Sequence, residues 1–387
     1  HETFNYGIGA QYMINKGNYI TADCYADHFS SSYCFFKDNK TYNGKAGEEQ
    51  VRKRTRNHNL SIKGIFKLGN RHKLSVGTEY IVDVLKSQTD NIAKEDAYTL
   101  ALFAQDEIKL LRNLQALIGV RYIYHENFKN HATPNVALMY KPGKFNFRAS
   151  YAAGFRTPTL SELYATDIAK KNDRLTIGNL DLKPEKNNYF SLSAEYVHER
   201  FSVSVNAFYN NIRDMIDYNT IATGDKAMEQ YGHKEVRQRD NIAEAKVHGI
   251  NVSANAYLGA GFNLSGGYTH LNTQDVELEQ PIDKSIKNAY NINAQWAHSW
   301  KIYRLNINLN GRINSKRFSK SYGYAPEYQL WDLNTRHSFN LKSVIIEPGC
   351  GMENLFDYMD DRPYNSNYAT LTPGRSFYIS LSLKFKS

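Results

Sequence analysis

Apolar and polar residues alternate one for one along segment after segment of this 387-residue chain. Between Arg304 and Asn314, Leu305, Ile307, Leu309 and Ile313 interleave with Arg304, Asn306, Asn308, Asn310, Arg312 and Asn314. Near the end, Phe377, Ile379, Leu381, Leu383 and Phe385 interleave with Ser376, Tyr378, Ser380, Ser382 and Lys384. Leu74-Val76-Thr78-Tyr80-Val82 and Phe201-Val203-Val205-Ala207-Tyr209 read the same way. Period two puts one class of side chain on each face of a β-strand. Roughly 17 such segments occur, each long enough for the ~9–11 residues of a tilted strand that crosses a membrane.

The connections alternate too. Short turns at Leu68-Gly69-Asn70-Arg71, Lys141-Pro142-Gly143-Lys144, His198-Glu199-Arg200 and Leu258-Gly259-Ala260-Gly261 are separated by longer stretches near 30–50, 157–184, 217–234 and 357–373. A transmembrane barrel has tight turns on its periplasmic rim and longer loops outside. A small soluble barrel fills its interior with apolar side chains, but about 17 strands or more enclose too much space for that. The Asn-, Arg- and Ser-rich face must then line a wet or plugged interior, and the apolar face must meet lipid. The predicted fold class is all-β, a transmembrane antiparallel β-barrel.

Composition agrees where it bears on this reading. The mean hydropathy of −0.60 resembles that of a soluble protein, and no apolar run is long enough for a spanning helix. Barrel walls evade such averages because only alternate residues face lipid. The 29 Tyr and 19 Phe against 9 Pro favour strands and membrane interfaces. The net charge of +9 suits an anionic partner, with lipopolysaccharide among the candidates. Its one dense run, Arg52-Lys53-Arg54-Thr55-Arg56, reads as a solvated strand face rather than a nucleic-acid patch. No secretory signal opens the chain. Three cysteines make neither a disulfide framework nor a zinc site; Cys24 and Cys34 are left as either a pair or separate packing residues.

An odd strand count is at variance with the even counts of bacterial single-chain barrels. An open edge in lipid would leave backbone groups unpaired, at several kcal/mol each, roughly. Strands are therefore expected to be missing on the N-terminal side, with residues 1–387 forming one incomplete barrel domain.

Two pairs of segments resemble the TonB-dependent receptor family. One is Tyr151-Ala152-Ala153-Gly154-Phe155-Arg156-Thr157-Pro158-Thr159-Leu160-Ser161-Glu162-Leu163-Tyr164, followed by Gly178-Asn179-Leu180-Asp181-Leu182-Lys183-Pro184-Glu185. The other is Asn354-Leu355-Phe356-Asp357 leading to Pro373-Gly374-Arg375-Ser376-Phe377-Tyr378 and a final strand with Phe385 as its terminal aromatic. Phe208–Ile216 and Ala245–Ile250 also look family-like. Such barrels have about 22 strands around an N-terminal plug, so the resemblance implies that plug, TonB-contacting segment and about five strands lie outside this sequence. In the first boxes Pro158 ends a strand, Asn179 and Asp181 suit turns, and Leu182, Pro184 and Glu185 lead into the next strand.

The resemblance further implies an outer-membrane receptor that imports a bulky, scarce nutrient with energy from TonB, and it allows for an accessory surface lipoprotein. Haem is the leading expectation because it is flat, apolar and anionic, with cobalamin or a ferric siderophore as alternatives. Arg156, Tyr164, Tyr231, His233, Tyr322, Tyr324 and Arg362 are the candidate ligand-binding residues. Haem receptors often carry a His between the paired boxes, and residues 159–178 contain none. No resident cofactor, metal cluster or catalytic spacing is seen, and His298-Ser299 and His337-Ser338 point to opposite faces of their strands. An enzyme is not expected. A passive porin or a non-transporting surface scaffold are the rival classes, and no nucleic-acid partner is expected.

Overall fold

The structure, a computed structural model, describes every residue except 41–42, 170–172, 243, 320–322, 361–371 and 387. Eight long strands come first: β1 (Glu2–Asn15), β2 (Asn18–Cys34), β3 (Glu49–Leu68), β4 (His72–Ser87), β5 (Ile92–Leu111), β6 (Leu114–His125), β7 (Lys129–Tyr140) and β8 (Phe145–Arg156). The middle carries α1 (Leu160–Tyr164), β9 (Thr166–Ala169), β10 (Arg174–Ile177), β11 (Glu185–Val197), β12 (Phe201–Arg213), β13 (Ile216–Thr223), α2 (Gly224–Tyr231) and β14 (Glu235–Asn241). The remainder is β15 (Ala245–Gly259), β16 (Phe262–Asp275), β17 (Asn288–Trp300), β18 (Tyr303–Asn314), β19 (Arg317–Ser319), β20 (Gly323–Ala325), β21 (Tyr328–Asn340), β22 (Val344–Glu353) and β23 (Ser376–Phe385).

Among the described residues, seventeen strands form one antiparallel sheet, four short ones a second, and β19 with β20 a third. The chain divides into two compact units. One comprises His1–Leu138, Ser150–Tyr189 and Ile212–Glu244; the other comprises Met139–Ala149, Phe190–Asn211 and Ala245–Ser387. In the first, β1 to β6 pair in sequence as a meander. In the second, β15 to β18, β21, β22 and β23 do the same.

The expected face pattern is present. On β12, exposed Phe201, Val203, Val205 and Tyr209 alternate with less exposed Ser202, Ser204 and Asn206. Leu60 and Ile62 on β3 face Tyr80 and Thr78 on β4, which face Leu100 and Leu102 on β5. Leu60 and Leu102 are 49% and 50% exposed, which in water would be costly and in hydrocarbon is the stable arrangement. No helix among the described residues is long and apolar enough to cross a membrane; strands do the crossing. Aromatic rings gather at strand ends, as in the Trp296, His298, Trp300 and Tyr303 row, where an interface holds amphipathic rings.

Strand ends fall where the turn residues place them: β3 stops at Leu68, β8 stops at Arg156 ahead of Pro158, and β11 starts at Glu185 after Pro184. The first long connection is shorter than expected, because β2 runs on to Cys34. Cys24 and Cys34 lie ten residues apart on that extended strand, about 33 Å along it. A disulfide needs α-carbons within about 7 Å, so both stay free thiols.

The connections at 157–184 and 217–234, read from sequence as loops, contain regular structure. β14 pairs antiparallel with β13 and parallel with β10, and β10 pairs with β9. This small sheet and α2 bury Ala222, Ala227 and Val236 against Leu175, Ile177, Ile221 and Tyr231.

Candidate functional site

The two sequence boxes dock on each other through α1. Its start is a capping box: Thr159 Oγ1 accepts from the Glu162 backbone N–H, and the Glu162 carboxylate accepts from the Thr159 N–H at 2.8 Å. Leu160 packs with Leu85, Ile92 and Ala97, and Leu163 with Leu182 and Ile216, while Tyr164 touches both groups. The second box then meets the helix backbone. Gly178 N–H donates to Ala165 O at 2.6 Å and Asn179 N–H to Glu162 O at 3.0 Å. A Cβ on Gly178 would lie 2.5 Å from the Leu163 carbonyl oxygen, so glycine is what lets the segments approach. Asn179 Oδ1 accepts from the Asp181 N–H at 2.9 Å, closing the turn that buries Leu182.

Arg156 locks this assembly electrostatically. Its Nε donates to Glu185 Oε2 at 2.7 Å and its Nη1 to Glu162 Oε2 at 3.0 Å, with a second bond from Nη2 to Glu185. Burial alone would raise the Glu162 carboxyl, but the bonds from Arg156 and Thr159 outweigh it and hold the group below its ordinary value. Glu185 also accepts from the Ile216 N–H at 2.8 Å. Asn241 completes the set, accepting from the Lys183 N–H and donating to the carbonyls of Lys183 and Asp214. Burial raises the Tyr164 phenol.

The other sequence candidates lie elsewhere. Tyr231 packs on the small sheet, and His233 Nδ1 meets Asp173 Oδ1 at 2.9 Å while Lys234 N–H donates to Asp173 O. Tyr324 is exposed in the β19–β20 hairpin, edge-on to Phe318. Tyr322 and Arg362 lie outside the described residues. The structure thus brings Phe155, Arg156, Pro158, Tyr164, Asn179, Asp181, Leu182, Pro184 and Glu185 into one unit with Tyr231 and His233. Tyr324 falls in the other. Among the described residues no group of three His, Cys, Asp or Glu side chains could hold a metal ion.

In the C-terminal box Asn354 is the hub. It is buried with φ of 51°, accepts from the Tyr358 N–H at 2.8 Å, and donates to the carbonyls of Tyr358 and Pro373. Leu355 N–H bonds Trp331 O, Arg375 N–H bonds Asp357 Oδ1, and Phe356 sits edge-on to Trp331. Pro373 and Gly374 line a 490 Å³ groove with Asn293, Asn310 and Arg312. Phe385 is exposed opposite Val344 at the last strand's end.

Sequence reasoning missed a larger groove of 760 Å³ at the loop-bearing ends of β3 and β4, lined by Glu48, Gln50, Arg52, Lys53, Arg54, Lys86 and Gln88 among others. A bulge at Arg52 breaks the register between Ser31 and Ser32 and swings its guanidinium to 5.1 Å from the Tyr33 ring. Lys53 Nζ approaches Asp90 at 3.4 Å, and Asp90 also meets Ser161 of α1. The basic run in the sequence was the available signal; the bulge that re-aims it was not.

A model of the TonB dependent receptor-like β-barrel matches residues 2–355. The fold resembles a mutant of the ferric enterobactin receptor of Pseudomonas aeruginosa, with a TM-score of 0.81 at 17% identity over 99% of this chain and 61% of that one. It also resembles the siderophore receptor PirA of Acinetobacter baumannii, with a TM-score of 0.75, 16% identity, and coverage of 99% and 62%. The copper transporter OprC matches at 0.72, with 11% identity over 98% of this chain and 64% of that one. The chain therefore spans about three fifths of the length of these structures.

Proposed function

The chain belongs to the TonB-dependent receptor family, whose β-barrels are outer-membrane proteins, and from that premise we propose that it serves a transporter taking up an anionic ferric siderophore, energised through TonB. The observation that carries the ligand class is the cationic groove at Arg52 and Lys53, 760 Å³ in volume and set between loop-bearing strand ends. A ferric tris-catecholate is compact and carries several negative charges, which suits clustered Arg and Lys with amide neighbours such as Gln50 and Gln88. The solved relatives whose names include siderophores support the same class.

Haem, the leading expectation from sequence, has weaker support. His233 is engaged with Asp173, and none of the relatives named above is a haem receptor. An energised receptor also fits better than a passive porin, since the boxes build docked loop structure around α1.

The test uses cells bearing the full-length receptor, with radioiron-labelled ferric enterobactin and haemin and radiocobalt-labelled cobalamin as probes. We expect saturable binding of the ferric catecholate, uptake that stops when TonB is deleted, and roughly tenfold weaker binding in R52Q/K53Q. Preferential haemin binding with a Soret shift would restore the haem reading. Uptake that persists without TonB would remove the transporter reading.

A further inference from the structure

We infer that His125 is the acid-sensitive catch of a latch, holding Phe128 against the docked boxes while neutral and releasing it when protonated. His125 closes β6, and Phe128 follows in the turn to β7. Residues 114–124 already supply the ~9–11 residues that cross lipid, so His125 stands beyond them at the rim. That rim is the external one, because the β5–β6 turn lies on the same side as the tight turn at Gly69-Asn70.

Two histidines hold the turn in different ways. The buried His125 ring lies 5.1 Å from the Phe128 ring, and its Nδ1 accepts from the Asn127 N–H at 3.1 Å. An accepting Nδ1 carries no proton, so the neutral ring keeps its proton on Nε2. His131 donates from Nε2 to the Phe128 carbonyl at 2.9 Å, and its ring stacks on that of Phe155 at 3.9 Å. Phe128 packs against Leu163, Leu182 and Ile216, as Tyr164 does. The turn thereby touches both sequence boxes, and all of these residues belong to one compact unit.

Acid acts on the two rings differently. A second proton on His131 goes to Nδ1 and leaves the bond to Phe128 intact. On His125 it also goes to Nδ1, where it confronts the Asn127 N–H. Two donors then face each other and the bond is lost. Asp83 on β4, Glu126 beside the ring and His131 on β7 act on His125. Glu126 acts in turn on Tyr98 of β5 and, with Glu95, on Tyr164 of α1, while Lys129 Nζ donates to the Glu126 carbonyl. Both carboxylates near His125 are engaged, Asp83 by Asn57 at 2.8 Å and Glu126 by the Tyr98 N–H at 3.3 Å. Burial outweighs their pull and holds the imidazole below its ordinary value. Opening the turn returns it to that ordinary value, about 6.5. The open form therefore takes up the proton more readily. The latch is at full strength above that pH and weakens as pH falls through it.

Hydrogen exchange of the full-length receptor in detergent at about pH 7.5 and about pH 5.5, corrected for intrinsic rates, reads the latch; both values lie above the ordinary carboxylate range. Protection of α1 and of residues 126–128 should fall about tenfold at the lower pH. His125→Asn, whose Oδ1 can accept from Asn127 at either pH, should keep its protection. His131→Gln, whose amide can still donate to Phe128, should fall like the parent. In Phe128→Ala the turn should respond while α1 no longer does. Heat-modifiable electrophoretic migration checks folding. Should His125→Asn misfold or lose protection at both pH values, His125→Gln takes its place. A parent equally protected at both pH values overturns the proposal, as does a His125 variant that falls like the parent. Loss of the response in His131→Gln makes His131 the sensor and overturns it too. An α1 that still follows pH in Phe128→Ala overturns the part given to Phe128.

Discussion

Gly178 lies so close beneath Leu163 that any side chain there would meet the Leu163 carbonyl at 2.5 Å and that of Glu162 at 2.9 Å. Both obstacles are backbone, so neither can rotate aside. Gly178→Ala should undock α1 from the second box, at a cost of about 1–3 kcal/mol. Limited proteolysis of whole cells should cut within residues 157–184 faster, while heat-modifiable migration of the sheet stays unchanged.

The Arg156 network should respond to acid. The Glu162 carboxyl sits below its ordinary pKa in the folded state, so its stabilising contribution is complete above the unfolded value. That contribution is lost as pH falls through the lowered folded value. Hydrogen exchange across α1 should therefore quicken below about pH 4.5, the ordinary carboxylate range. Arg156→Gln should leave Glu162 and Glu185, with side chains 13% and 17% exposed, without their cation. Exchange there should already be fast at neutral pH and its acid dependence flattened, with about 1–2 kcal/mol lost.

Asn354→Ala removes the side chain that bridges Tyr358 and Pro373 and leaves alanine at a positive φ. The expected loss is about 2–3 kcal/mol. It should appear as a lower urea midpoint in detergent and a smaller assembled fraction in the outer membrane. Asn354→Gly, which relieves the backbone strain but not the lost bonds, should recover part of it.

Leu102 and Ser61 test the two faces. Leu102→Arg places a charge on the exposed apolar side and should cost about 2–4 kcal/mol in a bilayer. Ser61→Arg projects from the other face, opposite Glu79, and should change unfolding free energy little. Equal effects of the two would contradict the assignment of lipid to the apolar side.

Most of the sheet was legible because period two is strict where one face meets lipid. The segment 304–314 became β18 and 376–386 became β23, within a residue at each end. Turns announced by Gly and Pro, such as 141–144, fell in place. The loops were less legible, because β9, β10, β13 and β14 are four to eight residues long and one of their pairings, β10 with β14, joins segments distant in sequence. A short strand without a long alternating pattern looks like coil. The same limit hid Asn241, whose partners Lys183 and Asp214 are far from it along the chain. The Thr159–Glu162 capping spacing, by contrast, stands in the sequence as a local signal of a helix start. The groove at Arg52 depends on a bulge, a one-residue register change that composition does not announce.

β10 and β14 run side by side in the same direction, joining Arg174 to Glu235 and Ile177 to Gln238. Parallel partners cannot come from one hairpin, so two external segments separated by a full transmembrane hairpin share a single hydrogen-bonded ladder. Neither can peel away without breaking bonds in the other. The two segments therefore open together rather than as independent flaps, and shortening either should loosen both.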